Sequence, residues 1–293
     1  MSSTECETIQ QLVDELLKFG LISESTSPYS FPIVLVGKRD EGPRTRLCID
    51  FRRLNDVTVT ESFPFPLIED LIDKVHGSRY FTTLDIASGF HHVQIRTSDR
   101  HKTSFATLDG KYEWNVLPFG LKNAPAIFQR IIHQIIRKHQ LNKFSFNYID
   151  DILIFSTTFE EHIQHLRQVL TAMSVENIKL KLSKCQFAQT SVNYLGHTLS
   201  FNSVKPLLSN VEAIQSIPAP TNLTELRSFL GKVNYYRKFV PNYSQLTSPL
   251  TSLTKKDATF VWSKEQEEAY NAIKQLLVSP PILSTFDKQK KCH

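Results

Sequence analysis

Two consecutive aspartates, Asp150 and Asp151, interrupt an apolar stretch, FNYIDDILIFS, that runs from Phe146 to Ser156. The apolar residues on either side predict two short strands, and the aspartates predict the turn that joins them. Like charges in contact repel, and apolar surroundings raise the cost of keeping both carboxylates ionised. The pair is therefore either a plain hairpin turn or a site for divalent cations, which offset that repulsion.

The composition fits a globular protein and gives one indication about partners. The chain has 293 residues, of which 41% are hydrophobic and 22% are charged, enough for one large domain or two smaller ones. From residue 201 onward 12 Lys and Arg stand against 7 Asp and Glu, whereas residues 1–200 hold 22 of each. This local surplus of positive charge favours contact with a polyanion, and a solvated tail stays the alternative.

The cysteines and the hydropathy pattern indicate where the protein resides. Its four cysteines have neither metal-ligand nor redox spacing, which favours a reducing compartment. We recognise no signal peptide and no apolar run of membrane-spanning length. We therefore expect an intracellular, cytoplasmic protein without membrane contact, and leave open whether it is nuclear or associated with a particle.

Hydrophobic periodicity predicts a mixed α+β region to about residue 200 and a mostly helical region after it. Asn222 with Glu225, and Ser263 with Gln266, have the spacing of a capping box and mark two helix starts in the second region. The predicted helices lie at 8–20, within 64–75, and at 123–139, 160–173, 221–240 and 263–277. Besides the Asp-Asp hairpin, the predicted strands lie at 31–36, 46–50, 79–85, 91–95, 102–108, 112–120 and 192–200.

A third carboxylate, Asp85, ends the predicted strand RYFTTLD. If this strand and the Asp-Asp hairpin are neighbours in one sheet, Asp85, Asp150 and Asp151 converge at one edge. Two Mg²⁺ ions would neutralise them and form the clamp used for in-line displacement at phosphorus, with the metals roughly 3.5–4 Å apart.

The motifs around these aspartates resemble those of one enzyme family. YIDDILIF resembles the catalytic hairpin of reverse transcriptases, and TTLDIASGF resembles the strand that carries their first catalytic aspartate. LPFGLKNAPAIFQR resembles their template-positioning segment, and YLGHTLS resembles their primer grip. Order and spacing match as well, over nearly the whole chain. The sequence is most similar to gypsy-type LTR-retrotransposon Pol polyproteins, which are related to retroviral ones.

The resemblance implies an α+β fold of the right-hand polymerase type. Fingers and palm would occupy residues 1–200, with the fingers at 1–59 and 93–124 and the palm at 60–92 and 125–200. The thumb and a helical connection region would occupy 201–293. The end of that region would be the start of a truncated RNase H-like segment, because no acidic cluster follows Pro281. The start lacks the Pro-rich lead-in of the polyproteins, so we also expect a fragment or a truncated copy.

The implied activity is RNA-directed DNA polymerisation. It would use two Mg²⁺ ions, with Mn²⁺ as a substitute, to add nucleotides from deoxynucleoside triphosphates to a primer annealed to an RNA or DNA template. Oligomeric state stays open. So do two alternatives: a catalytically inactive retrotransposon-derived remnant that binds nucleic acid, and an RNA-dependent RNA polymerase, against which Phe90 and the connection region argue.

The family's site residues can be assigned to positions of this sequence. The catalytic and metal-binding residues would be Asp85, Asp150 and Asp151, with Ile86 joining the metal set. Asp85 and Asp150 would be the direct ligands. Lys184 would protonate the leaving pyrophosphate, and Lys179 and Lys181 are the alternatives for that role.

The substrate-binding residues implied by the resemblance lie in three further segments. Lys38 and Arg46 would hold the triphosphate, with Arg39 as a competitor for the first role. Phe119 and Gly120 would lie near the nucleotide, and Phe90 would be the steric gate that excludes a 2′-hydroxyl. The primer grip would consist of Tyr194, Leu195 and Gly196. His92 departs from the family, because many relatives carry Gln there, and the sequence alone gives no account of it.

Overall fold

The computed structural model describes residues 3–37, 45–67, 70–71, 74–256 and 258–278. The helices are α1 (Ser3–Lys18), α2 (Arg52–Val57), α3 (Thr97–Arg100), α4 (Ala124–Lys138), α5 (Phe159–Val175), α6 (Leu208–Gln215), α7 (Leu223–Asn234), α8 (Tyr243–Ser252) and α9 (Lys264–Val278). The strands are β1 (Ile22–Glu24), β2 (Ile33–Gly37), β3 (Thr45–Ile49), β4 (Tyr80–Asp85), β5 (Phe105–Ala106), β6 (Lys111–Trp114), β7 (Ser145–Tyr148), β8 (Asp151–Ser156), β9 (Gln186–Gln189), β10 (Ser191–Tyr194), β11 (His197–Ser200) and β12 (Ser203–Pro206).

The chain divides into two compact units. The first contains Met1–Pro66, Leu84–Ile152 and Arg167–Cys185, and the second contains Leu67–Thr83, Leu153–Leu166 and Gln186–His293. The largest described sheet has four strands, in the order β7-β8-β4-β9. Strands β4 and β8 are neighbours in this sheet. The predicted convergence of Asp85, Asp150 and Asp151 depended on this arrangement.

The first unit has a core between α1 and a small antiparallel sheet of order β1-β6-β5. Ile9 and Val13 are one helical turn apart on α1 and both are buried in this core. Ile22 pairs with Trp114 across the sheet, and both side chains are buried there too. The period of the apolar residues along α1 therefore identifies the face that packs on the sheet.

A separate hairpin, β2–β3, also belongs to the first unit. Its register pairs Ile33 with Ile49 and Val36 with Arg46. The predicted strand pair at 31–36 and 46–50 is thus confirmed to within two residues at each end, as is usual for strand boundaries.

The second unit combines the antiparallel sheet β10-β11-β12 with helices α6 to α9. Phe229 of α7 and Tyr270 of α9 are buried, with ring centroids 4.6 Å apart. The predicted helix start at Asn222 is confirmed: its side chain accepts a hydrogen bond from the Glu225 N–H at 2.9 Å. The Glu225 carboxylate in turn accepts from the Thr221 N–H at 2.8 Å. The Asn222 side chain therefore satisfies one N–H group of the first helical turn.

Two strand predictions are wrong in informative ways. Residues 91–95 were predicted as a strand, but Gly89–His92 is a 3-10 helix and only Gln94 forms a β-bridge, with Val116. Residues 192–200 were predicted as one strand, but they form two, because Leu195 and Gly196 have φ angles of +44° and +69° and reverse the chain. A two-residue turn of this kind leaves little trace in hydrophobic periodicity.

Among the described helices, none combines the length and the apolar character needed to cross a membrane.

Candidate active site

The Asp-Asp turn joins β7 to β8 through the two residues Ile149 and Asp150. Ile149 has a φ angle of +53°, which is strained for a β-branched residue. Its N–H donates to Gln129 Oε1 at 2.6 Å. Gln129 lies on α4, is 1% exposed, and donates from Nε2 to the Asn147 carbonyl at 3.3 Å. One buried amide therefore holds the turn in its unusual conformation.

Asp85 reaches the same place from the end of β4. The next residue, Ile86, donates its N–H to the Asp150 carbonyl at 2.9 Å. Asp85 itself accepts at its carbonyl from the Lys181 N–H at 2.8 Å. These backbone bonds fix the end of β4 beside the turn, so the carboxylates that stand 65 residues apart in the sequence share one edge of the sheet.

The surroundings of the Asp151 carboxyl raise its pKa. Burial and, after it, the charges of Asp150 and Asp85 raise the pKa of the Asp151 carboxyl to about 6, while the charge of Lys184 opposes them. Asp150, by contrast, is exposed. The two adjacent aspartates therefore have different environments, and Asp150 is the one whose carboxylate is open to a ligand.

Lys184 forms a described ion pair with one of these carboxylates. Its Nζ lies 3.9 Å from Asp85 Oδ2. It ends the 3-10 helix Leu182–Lys184, which follows directly on the segment bonded to the end of β4. Lys181 also lines the adjoining cleft. The N–H of Lys179 donates to His92 Nε2, and its carbonyl accepts from the Ala87 N–H.

Aromatic rings form one wall of a cleft of about 580 Å³ beside the carboxylates. The Phe90 ring lies 5.0 Å from that of Phe119 and 5.7 Å from that of Phe128, centroid to centroid. Gly89 makes this packing possible, because a Cβ there would lie 2.9 Å from two atoms of the Phe128 ring. The cleft is lined by six of the predicted site residues, so the first unit brings these together: Asp85, Ile86, Phe90, Phe119, Asp150 and Lys184.

The structure shows less about the other residues that were predicted to contact the nucleotide. Lys38 and Arg39 lie outside the described residues. Arg46 lies in β3, opposite Val36. Gly120 has a φ angle of +96°, and its carbonyl accepts from Asn55 Nδ2 at 2.8 Å. Glycine is therefore needed at 120 for its backbone conformation, whatever it contacts in addition.

The predicted primer grip forms the turn between β10 and β11 in the second unit. Tyr194 is buried in β10, and Leu195 and Gly196 are the two turn residues. The Leu195 carbonyl accepts from the Tyr235 hydroxyl at 2.7 Å, and the Gly196 carbonyl accepts from the Tyr236 hydroxyl at 3.0 Å. The end of α7 thus holds both carbonyls of the turn.

The donor chemistry of Asp85, Asp150 and Asp151 fits magnesium, which prefers carboxylate oxygens. Ile86 has only its backbone carbonyl to offer to an ion. In the parts of the chain that the structure describes, no three or more His, Cys, Asp and Glu side chains already form a group able to hold a metal. Burial raises the pKa of the Asp151 carboxyl, and the charges of Asp150 and Asp85 add to this effect; a bound cation would offset both.

Sequence reasoning did not find three residues that hold these sites: Gln129 behind the Asp-Asp turn, and Tyr235 and Tyr236 behind the Leu195–Gly196 turn. Gln129 is a polar residue on the buried face of an amphipathic helix, and that position was a usable signal. The two tyrosines follow a helix and carry no comparable mark, since buried and exposed tyrosines look alike in sequence.

Solved structures of a foamy viral protease-reverse transcriptase have the same fold. The structure of its dRH form in complex with double-stranded DNA is 27% identical, has a TM-score of 0.86, and covers 97% of this chain and 50% of that one. The structure in complex with an RNA/DNA hybrid has a TM-score of 0.78 and covers 96% of this chain and 38% of that one. The predicted α+β fold of the right-hand polymerase type is confirmed.

The sequence comparisons give the family. A family model described as "Reverse transcriptase (RNA-dependent DNA polymerase)" matches residues 36–199. The retrovirus-related Pol polyprotein from transposon 297 of Drosophila melanogaster is 41% identical over 287 residues, which are 97% of this chain and 27% of that protein. The transposon Tf2-3 polyprotein of Schizosaccharomyces pombe is 40% identical over 286 residues, 97% of this chain and 21% of that protein.

The chain therefore belongs to the reverse transcriptase family and is similar to the corresponding region of transposon Pol polyproteins. It spans 27% or less of the length of these two relatives.

Proposed function

We propose that this chain carries out RNA-directed DNA polymerisation, adding deoxynucleotides to a primer annealed to an RNA or DNA template. The observation that carries the proposal is the meeting of Asp85, Asp150 and Asp151 beside a cleft lined by Phe90 and Lys184. Residues 1–200 would supply fingers and palm, and residues 201–293 the thumb and connection region.

Asp85 and Asp150 would hold two Mg²⁺ ions, with Ile86 and Asp151 completing the set and Mn²⁺ as a substitute. Bound ions of this kind lower the pKa of a hydroxyl nucleophile and neutralise charge on phosphate oxygens. The exposure of Asp150 and the raised pKa of Asp151 support different roles for the two. Asp150 offers a carboxylate to a ligand directly, while Asp151 adds negative charge from a half-buried position.

Lys184 would give a proton to the departing pyrophosphate, because a lysine ammonium within 3.9 Å of Asp85 stands next to the reacting groups. Lys38 and Arg46 would hold the triphosphate. The turn at Leu195–Gly196 would bind the primer backbone, where glycine lets a nucleic-acid strand approach closely. The complexes of the foamy viral enzyme with double-stranded DNA and with an RNA/DNA hybrid support a nucleic-acid partner.

Phe90 would select the sugar. It stands against Phe119 and faces the same cleft as Asp85, so its ring would lie under the ribose of a bound nucleotide. A flat ring there clashes with a 2′-hydroxyl and leaves it without a hydrogen bond, which costs roughly 1–3 kcal/mol.

Primer extension by Asp150→Asn tests the polymerase proposal. Extension should be abolished, because the exposed carboxylate is lost, while primer–template affinity and the melting temperature stay near those of the wild type. Asp109→Asn is the matched control, since Asp109 is also an exposed aspartate in a loop between strands. Near wild-type extension by Asp150→Asn would refute the assigned role. Binding without any extension by the wild-type protein would instead identify a non-catalytic remnant.

Single-nucleotide insertion by Phe90→Val tests the gate. The variant should incorporate ribonucleotides far better, with deoxynucleotide incorporation reduced much less. If Phe90 only fills space between Phe119 and Phe128, both rates should fall equally and the melting temperature should drop. An unchanged ratio of the two rates would therefore remove the gate assignment.

A further inference from the structure

The loop that carries Phe90 is tied at both ends to the backbone of one residue, Lys179. At its start, the Ala87 N–H donates to the Lys179 carbonyl at 2.9 Å. At its end, the Lys179 N–H donates to His92 Nε2 at 3.0 Å. The loop between them leaves β4 beside Asp85, and its Ser88 has a φ angle of +48°, a strained conformation for a residue other than glycine. A strained loop needs such ties to keep one shape.

The two hydrogen bonds of the His92 ring are compatible with one protonation state. Nε2 faces a backbone N–H of Lys179, which can only donate, so Nε2 must carry no proton. Nδ1 lies 3.1 Å from the Gly89 carbonyl, which can only accept, so Nδ1 must carry one. A protonated ring would place a second donor against the Lys179 N–H, and that hydrogen bond would be lost.

We infer that His92 is a positioning residue for Phe90: its neutral ring closes the Phe90 loop onto Lys179, and its protonation releases one end of that loop. The inference deepens the proposed function, since it concerns the residue assigned to sugar selection. It also accounts for the histidine at a position that sequence reasoning left unexplained.

Lys179 ties the loop to the metal-site side of the cleft as well. Leu180 forms a β-bridge with Ile86, and the Lys181 N–H donates to the Asp85 carbonyl. The segment that His92 grips is therefore the same segment that borders the end of β4. A loop closed onto it holds the Phe90 ring at a fixed distance from Asp85, as discrimination between sugars requires.

The surroundings of His92 favour the neutral ring. Burial lowers the pKa of the His92 imidazole, and the positive charge of Lys179 lowers it further, while the bond to Gly89 raises it. His91 is the neighbouring titratable group on the same 3-10 helix, and burial lowers its pKa as well. Near neutral pH the loop is therefore closed.

The pH response follows from the sign of this shift. A histidine whose pKa is lower in the folded protein adds stability above its ordinary pKa of about 6.5, and that contribution is lost as the pH falls below this value. The Phe90 loop should therefore loosen on acidification. The ratio of deoxynucleotide to ribonucleotide insertion should fall by about 2- to 10-fold, the usual effect of one hydrogen bond.

The first test needs no enzyme activity. The imidazole of His92 and the ring of Phe90 are followed by NMR as the pH is lowered, with assignments taken from His92→Gln and Phe90→Tyr. The His92 signal should titrate below the ordinary histidine pKa, and the Phe90 signal should shift with the same midpoint. A pH midpoint of the His92 signal at or above the ordinary histidine pKa would overturn the inference, and so would a Phe90 signal that does not shift at this midpoint. Both outcomes apply even if the protein proves not to be a polymerase.

The second test measures the insertion ratio against pH in three variants. Taking a ratio removes pH effects that are common to both nucleotides. His92→Gln offers one donor and one acceptor that do not titrate, so its ratio should be flat where that of the wild type falls. His92→Ala offers neither and should show the low ratio at every pH. His139→Gln, which removes a histidine after the end of α4, should follow the wild type.

A wild-type ratio that stays constant through the His92 midpoint would overturn the inference. So would a His92→Gln variant that retains the wild-type pH response. If His92→Gln does not fold, His92→Ala supplies the assignment of the His92 signal, and the NMR titration of the wild type decides. A chain that extends no primer at all would refute the proposed function and leave the NMR result standing.

Discussion

The two described turns that carry proposed site residues are both two residues long, but they are held in different ways. The turn at Ile149–Asp150 has a β-branched residue at a φ angle of +53°, held by the side chain of Gln129. The turn at Leu195–Gly196 has positive φ angles at both positions and a glycine at the second, which suits a hairpin of the favoured primed type.

The second turn also has more supports than the first. Its Leu195 carbonyl accepts from the Tyr235 hydroxyl and from His197 Nδ1, which lies 2.8 Å away. Its Gly196 carbonyl accepts from Tyr236, whose hydroxyl also accepts from Asn210 Nδ2 at 2.8 Å. The comparison teaches that the strained residue of the Asp-Asp turn, Ile149, is held by one buried side-chain amide, whereas both carbonyls of the Leu195–Gly196 turn accept from several groups.

Gln129→Met should break the first turn and give the largest effect. Methionine fills a similar volume but leaves the Ile149 N–H without its acceptor, so the strained turn loses its support. We expect kcat of primer extension to fall about 10- to 100-fold, with little change in primer–template affinity. A kcat within about two-fold of the wild type would show that the hairpin holds Ile149 without help.

Asp151→Asn should show a second property of the same turn, the cost of ionising a half-buried carboxylate beside two others. The raised pKa of the Asp151 carboxyl, about 6 against an ordinary 3.8, means that it contributes stability below pH 3.8 that is lost as the pH rises through about 6. Without metal at neutral pH, the variant should therefore be more stable than the wild type by about 1–2 kcal/mol, after allowance for solvent screening.

Thermal unfolding against pH measures this difference. The advantage of Asp151→Asn should disappear below pH 3.8 and shrink when Mg²⁺ is added to both proteins. Asp109→Asn, an exposed aspartate in the loop before β6, should show no such advantage. Equal stability of Asp151→Asn and the wild type at neutral pH would mean that neither burial nor the neighbouring carboxylates disfavour the ionised Asp151.

The second turn should respond least, and unequally to its two tyrosines. Tyr236 is buried, and Tyr236→Phe removes the hydroxyl that the Asn210 amide donates to, while the Gly196 carbonyl keeps its bond from the Leu207 N–H. Tyr235→Phe leaves the Leu195 carbonyl its bond to His197. We expect primer–template Kd to rise about 2- to 10-fold in Tyr236→Phe and less in Tyr235→Phe, with the ribonucleotide ratio unchanged in both. The reverse order of effects would contradict the view that this turn shares its supports.

The sequence predicted the fold and the family because their signals are local. The apolar run around Asp150 predicts a buried hairpin, and the helical period along α1 predicts the face that packs on the sheet. Asn222 and Glu225 predict the start of α7 three residues apart. Each of these patterns involves residues close together in the chain, where spacing alone decides which groups can meet.

The tertiary structure alone decided how the site is supported. Gln129 lies 20 residues from Ile149, His92 lies 87 residues from Lys179, and Tyr235 lies 40 residues from Leu195. Hydrogen bonds over such separations form only where packing brings a donor and an acceptor within about 3 Å in the right orientation. Residue type and order determined which carboxylates this chain carries, whereas the packing of helices and strands determined which side chains hold them in place.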